Sequence, residues 1–244
     1  MTSATSSEPV PADAPTGAEQ PGTTLSGPER DRALAVLGMI AFGELAAFSR
    51  LAADAALAPT LAQRLALSRL AGVALARIER VGERVTALGA ELQPVMEPFA
   101  GVLVEFDERT TPGTWWERLL KGYVGFGVSD DFSRMIAQGL DPWTRSLVED
   151  LLANDAHGPL VVGILADAAT TDATLDSRLA LWGRRLVGEA LGVVQRVVSE
   201  HPELRALLEP AMAGTPGTGD AQQRLYSALT AEHTRRMERL GLTP

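Results

Sequence analysis

The stretch LAVLGMIAFGELAAFSRLAADA, residues 34–55, decides the fold. Its apolar residues recur at alternating spacings of three and four, which is typical of the packed face of a long α-helix. One carboxylate, Glu44, interrupts this apolar seam between Ala41 and Phe48. An unpaired charge in a protein core is very costly, so a buried Glu44 must be protonated or paired. The stretch therefore predicts a bundle helix with one polar group turned towards the interior.

The helical pattern continues on both sides of this stretch. Thr60 is a good cap for a second helix, whose seam includes Ala74 and Arg77 and which Gly89 ends. A short segment at 96–109 is predicted to pack across the bundle. Further long helices are predicted to begin near Thr114, at Asp141-Pro142, at Leu175 and near Asp220, with a kink at Gly158-Pro159 inside the fourth. No segment alternates like a half-buried strand, so the sequence predicts an all-α bundle of antiparallel helices.

Composition limits the function before any motif does. The 244 residues are 45% hydrophobic and include no cysteine, which excludes thiolate metal sites and cysteine nucleophiles. A net charge of −9 disfavours a nucleic-acid surface. We find no signal peptide and no uninterrupted apolar run of membrane-spanning length, and expect a cytoplasmic protein. Residues 1–28 are rich in Ser, Thr, Pro, Gly and Ala and are predicted to be a disordered tail before a domain at 29–242.

The interior polar residues suggest a metal site that is largely missing. Helical bundles that bind two iron or manganese ions use one Glu from each of two helices and a Glu-x-x-His pair from each of the other two. Here Glu44 and His157 are the residual candidates. Motifs for other chemistries, such as a phosphate-binding loop or a nucleophilic serine, are absent. The sequence therefore predicts at most a degenerate di-metal site.

Several stretches resemble one bacterial family. They are WWERLLKGYVGFG at 115–127, RLALWGRRLVGEAL at 178–191 and the closing AEHTRRMERLGL at 231–242. They are similar to ferritin-like proteins related to the tRNA hydroxylase MiaE. The resemblance implies a ferritin-like antiparallel bundle with extra C-terminal helices, related to enzymes that use a di-iron centre and O₂.

The ligand pattern of that family is incomplete in this chain. The resemblance places the first-helix ligand on Glu44 and the second-helix pair on Ala74 and Arg77, neither of which can bind a metal. It places the third-helix acid on Phe126 and the fourth-helix pair on Asn154 and His157. Weaker candidates from a shifted register are Asp130, Asp131, Asp155 and Glu189.

Two hypotheses follow. In the first, Glu44 pairs with Arg77 in place of a metal, no cofactor is needed, and the bundle is a non-catalytic scaffold or partner subunit in a homo- or heterodimer. In the second, the shifted ligands still hold iron or manganese and the protein is an oxidoreductase or hydroxylase. Binding of tRNA would rest on the family resemblance alone.

Overall fold

The computed structural model describes residues 25–153, 157–169, 172 and 174–244. These residues are almost entirely helical and include no strand, which confirms the all-α prediction. The elements are α1 (Gly27–Leu57), α2 (Leu61–Ala87), α3 (Leu92–Met96), a 3₁₀ turn (Glu97–Phe99), α4 (Val104–Arg109), α5 (Trp115–Ala137), α6 (Pro142–Leu152), α7 (His157–Ala169), α8 (Leu175–Glu200), α9 (Pro202–Met212) and α10 (Ala221–Arg239).

The helix starts follow the capping residues of the sequence. The Thr60 hydroxyl accepts a hydrogen bond from the backbone N–H of Gln63 at 3.2 Å. The Asp141 carboxylate accepts one from Thr144 at 3.0 Å. Each bond satisfies a donor that the first turn of a helix leaves unpaired. Gly89, with a φ of 72°, ends α2 in the left-handed conformation that favours glycine.

The first helix begins slightly before the predicted boundary of the tail. Residues 1–24, most of the predicted tail, lie outside the described residues. The Ser26 backbone N–H and hydroxyl donate to the Glu29 carboxylate at 3.2 and 2.6 Å. The chain from Ser26 onward thus belongs to the start of α1.

The fourth predicted helix is two helices, so the prediction of one kinked helix was wrong. The first of them, α6, ends at Leu152, and α7 begins at His157. Pro159 lies within α7.

The fifth helix α5 is the centre of the bundle. It contacts α1, α6, α7, α8, α9 and α10, while α1 and α2 form the most extensive helix pair. The main core collects apolar residues from most of the helices. A smaller core at one end of α1 and α2 contains Leu51, Ala55, Ala58, Leu67 and Ala71.

Among the described helices, only α1 is long and apolar enough to cross a membrane, with a mean hydropathy of 1.6 over its most apolar window. Core helices of soluble proteins also reach this length and hydropathy. Buried acidic residues, Glu44 and Asp54, lie in α1 and pair with arginines of other helices. These features fit a helix of the bundle core.

Candidate functional site

A polar cavity of about 320 Å³ lies between α1, α2 and α5 and reaches α10. It collects most of the residues that the sequence singles out. Those on its walls are Glu44, Ala74, Arg77, Phe126, Asp130, Asp131 and His157. The charged residues that join them are Arg134, Glu232, Arg236 and Arg239.

Glu44 and Arg77 meet at this cavity. An Nη1–Oε1 distance of 3.0 Å makes the contact both an ion pair and a hydrogen bond. Glu44 is 6% exposed, and burial raises the pKa of its carboxyl although Arg77 acts in the opposite direction. Desolvation favours the neutral acid, so the carboxylate depends on Arg77 to remain ionised.

Asp130 borders the same cavity one turn beyond Phe126. Its pKa is raised to about 7, first by burial and then by repulsion from Glu44. The guanidiniums of Arg77 and Arg134 act against this rise. Glu44 and Asp130 therefore share an environment in which two negative charges are disfavoured at neutral pH.

Asp131 points towards a buried arginine of the last helix. Its Oδ2 accepts a 2.6 Å hydrogen bond from Arg236, and its Oδ1 lies 3.1 Å from Arg134. Arg236 is 6% exposed, so its guanidinium is buried in the bundle. Gly127 makes room for it, because a Cβ there would lie 2.1 Å from the Arg236 Nε.

His233, one turn before Arg236, is also buried, at 3% exposure. Neither of its ring nitrogens has a hydrogen-bond partner among the described residues. Burial, followed by the nearby Arg236, lowers its pKa to about 4. His233 is therefore neutral at physiological pH.

The remaining predicted site residues are His157, Glu189, Asn154 and Asp155. His157 borders the cavity, with its ring edge-on to Phe126 at a centroid distance of 5.3 Å. Glu189 lies outside the cavity and pairs with Arg109 at 3.4 Å. Asn154 and Asp155 lie outside the described residues.

The described residues supply few of the ligands that a two-metal centre uses. The part of the chain that the structure describes contains no group of three or more His, Asp or Glu side chains placed to hold a metal ion. Ala74 offers no donor atom, and the guanidinium of Arg77 forms an ion pair with the Glu44 carboxylate. A fixed positive charge beside a ligand also opposes the binding of a cation.

The family model for the ferritin-like domain of actinomycetes matches residues 29–211. This chain belongs to that ferritin-like family. The fold has a counterpart among solved structures, a Synechococcus protein with aldehyde deformylating oxidase activity. The two share 14% sequence identity with a TM-score of 0.61, over 89% of this chain and 93% of the other, a likeness that shows the fold. Comparison with curated proteins gives no match.

Sequence reasoning missed a second cavity in this ferritin-like bundle. It has a volume of about 450 Å³ and lies on the other side of Gly43, Phe126 and Ser129, which border both cavities. Most of its walls are apolar, and Lys121 is buried in one of them. The sequence contains one signal that points to this cavity, since Lys121 is the only lysine in the chain.

Proposed function

We propose that this ferritin-like protein has lost the two-metal site of its relatives and is a non-catalytic scaffold or partner subunit. The contact between Glu44 and Arg77 is the observation that carries this proposal. It neutralises the one interior carboxylate that the family resemblance assigns as a ligand. The other ligand positions of that pattern in α2 and α5 hold Ala74, Arg77 and Phe126.

The balance of charge around the polar cavity supports the same proposal. Arg77, Arg134 and Arg236 each pair with an acid on its wall. Iron and manganese sites for O₂ chemistry need several anionic oxygen ligands with open coordination positions. Here Glu44 and Asp131 are engaged by arginines, and a proton on Asp130 removes a third charge near neutral pH.

A surface of α2 supports the role as a partner subunit. Leu61, Leu65 and Leu75 lie along the outer side of α2 and are 80%, 48% and 45% exposed. Their spacings of four and ten residues place them within one broad helix face. Exposed apolar patches mark contact sites between proteins. A second copy of the chain, or a related subunit, is the partner we propose for this face.

The alternative is a di-iron or dimanganese oxidoreductase. It is favoured by one observation, that Glu44, Asp130 and His157 border one cavity. Membership of a MiaE-like subfamily, with tRNA as the substrate, belongs to this alternative and rests on the sequence resemblance. We propose a cytoplasmic location for either function.

Metal analysis tests the proposal. Protein expressed with excess iron or manganese should contain well under one metal ion per chain by elemental mass spectrometry. The double variant Ala74→Glu, Arg77→His restores a Glu-x-x-His pair in α2 and serves as a positive control for uptake by the bundle. Stoichiometric metal in the wild type that is lost in Glu44→Ala would support the oxidoreductase instead.

Sedimentation tests the role as a partner subunit. The wild type should form dimers at micromolar concentration, and Leu61→Glu, Leu65→Glu should shift the protein to monomers. Leu181→Glu is the matched control, since Leu181 is 63% exposed on a different helix, α8. A wild-type monomer at all concentrations would leave a heterologous subunit as the only partner of this kind.

A further inference from the structure

The apolar cavity has no role in the proposed scaffold, although its size and shape suit a ligand. Its volume of about 450 Å³ falls in the range of pockets that hold small molecules. It lies between α1, the segment around α4, α5 and α8. Phe99, Val128 and Phe132, each at most 3% exposed, and Val194 and Val197 of α8 form apolar walls.

Charged side chains gather in one part of this cavity. They are Arg50, Asp107, Arg118 and Lys121. The Asp107 side chain is 48% exposed and that of Arg50 is 20% exposed, so this part lies close to solvent. The cavity is therefore amphipathic, with an apolar interior and a charged end.

The charges at this end do not balance. Asp107 accepts from both Lys121, at 2.7 Å, and Arg50. Arg118 pairs with Asp54 at 2.8 Å. Among the described residues that line this end and their ion-pair partners, three cations thus face two acids, which leaves one positive charge in excess. A ligand with a single negative charge would balance this excess positive charge.

The identity of Lys121 adds a second observation. The chain has 22 basic residues, and Lys121 is the only lysine among them. It is also buried, at 2% exposure, in a chain whose other basic positions are all arginine. An ammonium is a compact charge on an unbranched apolar stem, whereas a guanidinium is broad and planar. The smaller group suits a buried position in a largely apolar wall.

We propose that the apolar cavity binds an aliphatic carboxylate, with the hydrocarbon chain between α1, α5 and α8 and the carboxylate at Lys121 and Arg50. The apolar walls fit the chain, and the excess positive charge fits the carboxylate. Among the described residues, Asp107 takes one of the three ammonium donors of Lys121, and two are left for a ligand. The proposal does not depend on whether the polar cavity holds a metal.

Calorimetric titration of the full chain, stripped of lipid, tests the proposal. Laurate, octanoate and dodecanol are titrated below their aggregation limits. Laurate should bind about tenfold more tightly than dodecanol, because the alcohol lacks the charge that Lys121 and Arg50 recognise. Octanoate should bind more weakly than laurate because it buries less apolar surface.

Variants then locate the binding site. Lys121→Met should weaken laurate binding about tenfold and leave dodecanol binding unchanged. Arg205→Gln removes one positive charge from the exposed side of α9, outside both cavities. It should change the affinity for neither laurate nor dodecanol. Ala190→Phe fills the apolar cavity and should abolish binding of both ligands. If Ala190→Phe does not fold, Val193→Trp is used in its place to fill the same cavity.

Three results would overturn the proposal. They are no binding of laurate by the wild type, equal affinities for laurate and dodecanol, and unchanged laurate binding in Lys121→Met or in the filled-cavity variants. None of them bears on metal content, so this proposal and the proposed function fail independently.

Discussion

The polar and apolar cavities share a border at Gly43, Phe126 and Ser129 but differ in how their charges are compensated. In the polar cavity, Glu44 pairs with Arg77, and Asp131 pairs with Arg236. At the charged end of the apolar cavity, the cations exceed the acids by one within the part of the chain that the structure describes. Buried charges that form ion pairs with each other need no ligand. An excess charge beside an apolar space is instead compensated when a ligand of opposite charge binds. The polar cavity is therefore expected to be structural and the apolar cavity to bind.

The largest expected effect breaks the pairing in the polar cavity. Arg77→Met leaves the Glu44 carboxylate buried without its cation, and Glu44→Gln leaves the guanidinium without its acid. We expect each to lower the free energy of unfolding by about 2–4 kcal/mol, because each leaves one partner of a buried ion pair uncompensated. This is somewhat below the cost of breaking a fully buried pair, because the Arg77 side chain is 16% exposed.

The double variant Glu44→Leu, Arg77→Met is the control for this pair. Apolar replacement of both partners should cost much less than the sum of the single variants, and a denaturant-unfolding cycle measures the difference. Strict additivity would mean that the two side chains do not interact. Glu44 would then need another partner, and a metal would become the leading candidate.

The next effect concerns the pH dependence of Asp130. Its pKa is about 7 in the folded protein and near 4 in the unfolded chain, so the folded state binds the proton more tightly. The contribution of this proton to stability is complete below pH 4 and is lost as the pH rises through 7. Asp130→Asn should therefore stabilise the protein by about 1–3 kcal/mol at pH 8 and change it little at pH 4. Unfolding of both proteins across this pH range measures the difference.

A different result for Asp130→Asn would change the description of the polar cavity. Equal stabilisation at all pH values would mean that Asp130 does not titrate in this range. Destabilisation at pH 8 would mean that its ionised carboxylate has a cationic partner, such as Arg77 or Arg134.

A smaller effect is expected in the apolar cavity. Lys121→Met replaces a buried ammonium by an apolar side chain of similar length, and Asp107 keeps Arg50 as a partner. Burial, followed by repulsion from Arg50, lowers the pKa of Lys121, and the hydrogen bond to Asp107 acts in the opposite direction. We expect stability to change by less than about 1 kcal/mol, although laurate binding weakens. Thermal unfolding without ligand checks this, and a large loss would give Lys121 a structural role.

The sequence predicted the fold well because local signals determine it. The caps at Thr60, Thr114 and Asp141 and the seam periodicity mark the helices, and each cap starts the helix expected of it. The break after Leu152 was missed, because a proline that kinks one helix and a proline that follows a break between two helices look alike in sequence. The short helix α9 was also not foreseen.

The site was less predictable because it depends on contacts between distant segments. Arg236 reaches Asp131 across 105 positions, through a space that Gly127 leaves open. Nothing in the local pattern separates this arginine from its exposed neighbour Arg235. A cavity likewise depends on how several helices pack, and only the uniqueness of Lys121 hinted at the apolar one.

The smallest expected effect lies in the N-terminal segment, far from both cavities in sequence. Residues 1–24 have few large apolar side chains to bury, so their deletion should leave the melting midpoint and laurate binding nearly unchanged. Deletion of 1–28 also removes Ser26, which donates to Glu29 at the start of α1, and should lower the free energy of unfolding by about 1 kcal/mol.

The two truncations bear on the comparison of the cavities because α1 borders both of them. Fraying at its start should lower stability without changing the preference for laurate over dodecanol. A drop of several degrees on deletion of 1–24 would show that the segment docks on the bundle, and lost laurate binding would place it at the apolar cavity.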